Sequence, residues 1–165
     1  MTYGDDMRRL FIFRKDILKD EPGKAMAMVA HCAEAYWTNS IRANSIPYLK
    51  TYDKSLKEES SEDKNEIIGY ELSYVISKDI FEQYINNSFV KTICEARNLN
   101  HLKKAAVIAE ELNLVENEDY GFINDNCKTV FSPENEDGTT TVGILFKPLP
   151  DDVSHKISKK YQLYR

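Results

Sequence analysis

The chain has 165 residues, 42% of them hydrophobic, which suits one domain with one sizeable core. Its 27 acidic and 22 basic residues leave a net charge of −5, which excludes an unassisted attraction of the whole surface to nucleic acid, and no apolar run reaches the roughly 18 residues of a membrane span. Asp5 and Asp6 ahead of Arg8 and Arg9 do not read as a secretory leader, and Cys32, Cys94 and Cys127 are too far apart for a zinc or redox pair, so a cytoplasmic protein with reduced thiols and no metal or other cofactor is expected.

Leu10 to Phe13, inside Arg8 to Arg14, is a short apolar run of the kind that forms a strand buried on both faces, and is expected to be the central strand. Asp20 can cap the following helix, which Pro22 enters in its first turn and which is expected to reach about Thr38. Val29, Cys32, Ala33 and Tyr36 form its core face; Lys24, Met28 and His31 form the opposite stripe, with the small Ala27 and Ala35 leaving room to dock a ligand. The Gly23-Lys24 start of this helix places unpaired backbone N–H groups beside a full positive charge, an arrangement suited to a phosphate or an oxyanion.

From Ile41 to about Lys78 the periodicity fades. Between Asp53 and Glu66 six acids stand against three lysines, and Ser55 to Asn65 reads as a mobile solvated loop. Tyr70, Leu72, Tyr74 and Ile76 then alternate with polar residues, as in an edge strand or hairpin arm. Ile80 to Asn86 suggests a short helix and Phe89 to Ala96 a second core strand. Asn98 or Asn100 can cap a helix burying Leu102, Ala105, Ala106, Ala109 and Leu112 and ending near Asn113. Tyr120 to Asp125 reads as a third strand with Asp125 at its carboxyl end, where ligands collect in open α/β sheets, and Asn126 to Thr129 turns the chain. An acidic turn (Glu134 to Gly138), a strand (Thr139 to Lys147), a helix opened by Pro150-Asp151-Asp152 and a terminal strand (Tyr161 to Tyr164) complete the chain. The alternation predicts an α/β fold: a single domain with a mixed central β-sheet and helices on both faces. Arg8, Arg9, Arg14, Lys15, Lys24, Lys128, Lys156, Lys159 and Lys160 are the candidates for a basic patch.

As a set, these residues resemble the type 2 peptidyl-tRNA hydrolases of archaea and eukaryotes. Arg14-Lys15-Asp16, Gly23-Lys24, Ala27 and His31 match the family's opening signature; Asp125 with Thr129 four residues on matches its second; and Pro148-Leu149-Pro150 through Gln162-Leu163-Tyr164 matches its carboxyl terminus. Family glutamines are replaced by Met28 and Val130, a basic residue by Pro22, and a glycine-arginine pair by Cys127-Lys128, while about 41–78 has the look of an insertion in a single type 2-like domain.

The resemblance implies hydrolysis of the ester between a peptide, or an N-blocked amino acid, and the 3′ acceptor end of tRNA, carried out by a homodimer without metal. It assigns Lys24 to the oxyanion or the terminal phosphate, Asp125 to orienting Lys24 or the water, and Thr129 to a substrate group or water, with Gly23, His31 and Lys128 in substrate binding. A thiol and imidazole pair, Cys127 with His31, is a different hydrolytic arrangement, although the family has glycine at the cysteine's place. The competing class is an inactive relative that binds RNA or protein, which the substitutions at Met28 and Val130 favour and the joint presence of Lys24, Asp125 and Thr129 disfavours.

Overall fold

The computed structural model describes residues 6–49 and 67–165, so the expected loop from Ser55 to Asn65 lies outside the described residues. The described residues fall into two compact units, Met1–Glu34 with Ile76–Arg165, and Ala35–Val75. The elements of the first unit are β1 (Met7–Arg14), a single helical turn α1 (Lys15–Leu18), the start of α2 (Pro22–Asn44), a π-helix (Ile80–Ser88), β4 (Val90–Ala96), α3 (Leu99–Glu111), β5 (Tyr120–Asp125), β6 (Thr140–Phe146), β7 (Leu149–Pro150), α4 (Asp151–Ser158) and β8 (Gln162–Leu163). The second unit holds the rest of α2 and a hairpin of β2 (Ser45–Leu49) and β3 (Ile67–Leu72).

The mixed sheet runs β5-β6-β1-β4-β8, with β7 also paired to β1. Strand β1 is central and parallel to β4 but antiparallel to β6, and β6 is antiparallel to β5. Strands β1, β4 and β5 therefore end at the same edge. Seven of the eight residues of β1 are buried, as expected for a strand covered on both sides. Leu10 and Ile12 join a core with Cys94, Leu102, Ala105, Ala109, Phe146 and Ile157, which places α3 and α4 on that face. Their alternates Arg9, Phe11 and Phe13 point the other way.

Arg9 is fully buried and is not part of a surface patch. Its guanidinium donates from Nη1 to Ala33 O (2.7 Å), from Nη2 to Cys32 O (2.9 Å) and from Nε to Phe146 O (3.3 Å), which ties α2 to the sheet. A charged donor in low dielectric makes strong hydrogen bonds to carbonyls. Arg14 is also buried, paired through both nitrogens of its fork with Asp16 and Glu134. Two of the expected surface cations are thus internal ties, because β1 offers almost no exposed position. Gly143 of β6 lies opposite Phe13, and a Cβ there would come within 2.7 Å of the Phe13 ring, so the strand crossing demands glycine.

Several local expectations shift. Asp20 does not cap α2; the helix starts at Pro22 and Glu21 O accepts from Ala25 N (2.9 Å). The helix continues past Thr38 to Asn44, because Thr38 and Ser40 bond back to the Ala35 and Tyr36 carbonyls and so cost the helix little. Asn98 is the cap of α3, accepting from His101 N at 2.9 Å. The expected short helix at Ile80 is a π-helix closed by Phe89 N donating to Tyr84 O. In the second unit the hairpin register pairs Ser45 with Leu72, so the ladder runs out there even though the apolar alternation continues through Tyr74 and Ile76.

Removing the Arg9 tie tests its weight. Arg9→Ala deletes three charged hydrogen bonds and should lower unfolding free energy by about 3 kcal/mol or more, read from urea midpoints. A loss below about 1 kcal/mol would show that the guanidinium does not hold α2 to the sheet.

Candidate functional site

Because α2 starts just after β1 ends, its first turn lies at the edge where β1, β4 and β5 finish. Lys24, third in the helix, stands where the helix dipole disfavours a cation, and no acid occupies the first turn to compensate. The compensation comes from β5: Lys24 Nζ is 2.6 Å from Asp125 Oδ2. Both are largely withdrawn from water, with side chains 19% and 8% exposed. Asp125 Oδ1 accepts from Cys127 N at 2.9 Å. Burial alone would raise the Asp125 pKa, but the Lys24 and Cys127 hydrogen bonds and the Lys24 and His31 charges together hold it below its ordinary value. Asp125 is therefore an anion at neutral pH with each oxygen already engaged. That suits it to aim Lys24.

The remaining predicted residues are placed as follows. Gly23 is exposed, and a Cβ on it would meet nothing within 4 Å, so nothing in the protein's own packing requires glycine there. His31 is exposed and near enough to Asp125 for its charge to act on the carboxylate. Thr129 and Lys128 are exposed on the turn after β5, and neither makes a hydrogen bond or ion pair with the described residues. Met28 departs from expectation. It is 3% exposed and turns inward with Ala25 and Cys32, because the buried stripe of α2 is centred one position earlier than the run Val29, Cys32, Ala33, Tyr36 suggests.

Cys127 has φ of 53°, a left-handed conformation that glycine adopts without strain and a side chain does not. Its Sγ lies 3.5 Å from Asp125 O, and no hydrogen bond joins it to His31 among the described residues, so the thiol and imidazole arrangement is not assembled. Cys32 is inert, burial raising its pKa to about 12. Among the described residues no group of three His, Cys, Asp or Glu side chains is placed to hold a metal ion.

The sequence reading missed Phe131 and gave Thr140 no place in the site. Lys24 Nζ lies 5.4 Å from the centre of the Phe131 ring, a cation–π contact that leaves the ammonium one further direction for a ligand. Thr140, opposite Asp125 in the register, donates to Ser132 O (2.6 Å) and accepts from Glu134 N (3.1 Å), anchoring the loop that carries Phe131. The one available signal was Val130-Phe131, an apolar pair inside a polar loop. Beside the pair lies a cavity of about 390 Å³ with Ile17, Val130 and Phe131 as apolar walls and Asp20, Glu21 and Glu134 among its lining residues.

Two measurements follow from this geometry. Met28→Gln, which restores the family's residue, would bury an amide and should destabilise the protein by about 1–3 kcal/mol in urea unfolding. Asp125→Asn should cost about 1–3 kcal/mol at pH 7. Since the folded carboxyl has a depressed pKa, its contribution is complete above the unfolded-chain value near 3.8 and disappears as pH falls through the folded value. The gap between wild type and variant should therefore close in acid; a gap independent of pH down to 2 would contradict the ion pair.

The described residues contain no helix long and apolar enough to cross a membrane. No curated protein sequence matches the chain. The family model described as peptidyl-tRNA hydrolase PTH2 does match it, over residues 7–164, from the first residue of β1 to the residue after β8. With a match of that extent, the chain belongs to the peptidyl-tRNA hydrolase PTH2 family.

Proposed function

We propose that this protein hydrolyses the ester between a peptide, or an N-blocked amino acid, and the 3′ end of tRNA, with Lys24 stabilising the oxyanion and Asp125 positioning Lys24 or the water. The observation that carries the reading is the 2.6 Å Lys24–Asp125 pair at the carboxyl edge of the sheet. Water adds to the ester carbonyl, the carbonyl oxygen becomes an oxyanion, and collapse releases the peptide acid and the tRNA hydroxyl. An ammonium already oriented by a carboxylate and an aromatic ring meets the developing charge with little reorganisation. Thr129, exposed on the turn after β5, is the group we assign to hold a substrate atom or the water, and His31 is assigned to the substrate end. Lys128 is assigned to phosphate. The open space at Gly23 lets backbone N–H groups approach a ligand closely. The neighbouring cavity, with acids among its lining, repels phosphate and suits the acyl portion.

The family resemblance further supports a cytoplasmic homodimer acting in translation, built from a single type 2-like domain with an insertion at about 41–78. Light scattering at micromolar concentration tests the dimer independently of catalysis.

Lys24→Ala and Asp125→Ala should each reduce single-turnover hydrolysis of an N-acetylated aminoacyl-tRNA by about 100-fold or more, and the double variant should lose little beyond the worse single one. Lys24→Arg should rescue poorly, because a planar guanidinium cannot replace a point ammonium held between Asp125 and Phe131. Equal background rates in wild type and Lys24→Ala with tRNA binding intact would overturn the hydrolase reading in favour of a binding module.

A further inference from the structure

A second hollow, of about 360 Å³, lies on the α3 side of the sheet, where the start of α3 meets the turn between α4 and β8. Arg97, Lys104 and Lys160 line it together with His101, Tyr161 and Val107. Its floor is rigid. The His101 and Tyr161 rings stack at 4.7 Å with 21° between their planes, Tyr161 Oη donates to His101 O (3.0 Å), and His101 Nδ1 accepts from Arg97 N (3.1 Å). Burial and the Arg97 and Lys104 charges lower the His101 pKa despite its hydrogen bond to the Lys160 backbone, so the ring is neutral at pH 7 and acts as a spacer.

What distinguishes the hollow is that three cations share it: Arg97, Lys104 and Lys160 all line it and pair with no carboxylate among the described residues, whereas other cations without such a partner, Lys128 and Lys159 among them, do not line it. In a chain of net charge −5, three exposed and converging unpaired cations repel each other and favour an external anion. Three cations beside the exposed apolar wall of Val107 suit a chain of phosphates with apolar sugar or base surface between them. Arg97 directly follows β4 and so stands at the same sheet edge as Asp125, three strand spacings away in the order β5-β6-β1-β4, roughly 14 Å at about 4.8 Å per strand. A polyanion with its end at Lys24 can span that.

We infer that this hollow is a docking groove for the phosphate backbone of the tRNA acceptor arm, which binds the nucleic acid while the ester lies at Lys24. The inference rests on the hydrolase reading for the identity of the ligand, but it can be tested without turnover. The Arg97→Gln/Lys104→Gln/Lys160→Gln variant of the full chain should bind deacylated tRNA about tenfold or more weakly at low salt, with a salt slope shallower by about 2–3, as expected for two or three lost phosphate contacts. On N-acetylated aminoacyl-tRNA its KM should rise by a similar factor with kcat held, while an N-acetylated aminoacyl ester of adenosine, which carries no phosphate to offer the groove, should be hydrolysed as by wild type. Lys103→Gln, next to the groove but outside it, should leave tRNA binding unchanged. If wild type hydrolyses neither substrate and the triple variant still loses tRNA affinity, the hydrolase reading falls and the groove stands. Unchanged tRNA affinity and salt slope in the triple variant would overturn the groove, as would equal losses on the short ester. Tighter binding of poly-glutamate than of tRNA, abolished by the same substitutions, would overturn it in favour of an acidic protein partner.

Discussion

The structure depends on a cation inside the core. Arg9 has no exposed surface, and its three donor nitrogens reach carbonyls on α2 and β6 at 2.7 to 3.3 Å. Such a charge is tolerable inside the core because α2 and β6 supply backbone acceptors around it and the Phe11 ring lies 4.8 Å away. The consequence is positional. With the middle of α2 fixed to the sheet at Cys32 and Ala33, the first turn of that helix cannot slide, and Lys24 is delivered to the end of β5.

Charge at the carboxyl edge of the sheet is arranged in two regimes. At the end of β1 and the start of α2 three cations are neutralised: Arg14 by Asp16 and Glu134, Lys15 by Glu95, Lys24 by Asp125. Neutralised cations act as oriented dipoles with short reach, suited to placing one group against one atom. Past the end of β4, Arg97, Lys104 and Lys160 have no carboxylate partner among the described residues, and their field reaches further into solvent, on the order of the 10 Å Debye length at 0.1 M salt. Paired and unpaired cations thus occupy different parts of one edge, although the chain as a whole is acidic.

The departures from the family pattern have separate physical consequences. Met28 replaces a glutamine at a position that the helix turns into the core, where an apolar side chain is the more stable occupant. Cys127 replaces a glycine at a left-handed position, at a conformational cost of about 1 kcal/mol, while keeping the backbone N–H that binds Asp125 Oδ1. Val130 remains exposed and forms a wall of the cavity beside Phe131. Two of these substitutions bear on the surroundings of the Lys24–Asp125 pair and leave the pair itself intact.

Much of this was legible in the residues themselves. The apolar run Leu10 to Phe13 declared a strand covered on both sides, Asn98 or Asn100 marked the start of α3, and the placing of Lys24 at a helix start and Asp125 at a strand end put two opposite charges at one sheet edge, because these features follow from local periodicity and from the rule that parallel strands end together. Tertiary structure alone decided what depends on through-space neighbours. Arg9 and Arg14 read as surface cations until β6 and the Glu134 loop closed over them; Met28 changed faces because helix rotation is set by packing and not by the helix's own pattern; Phe131 met Lys24 only because Thr140 holds its loop; and the hairpin ended at Leu72 because its partner strand begins at Ser45. Sequence fixes where elements begin and end and which strands are apolar on both sides, since these follow from backbone geometry and local pattern. It does not fix which distant group fills them, because that is chosen by the long-range contacts that fold the chain.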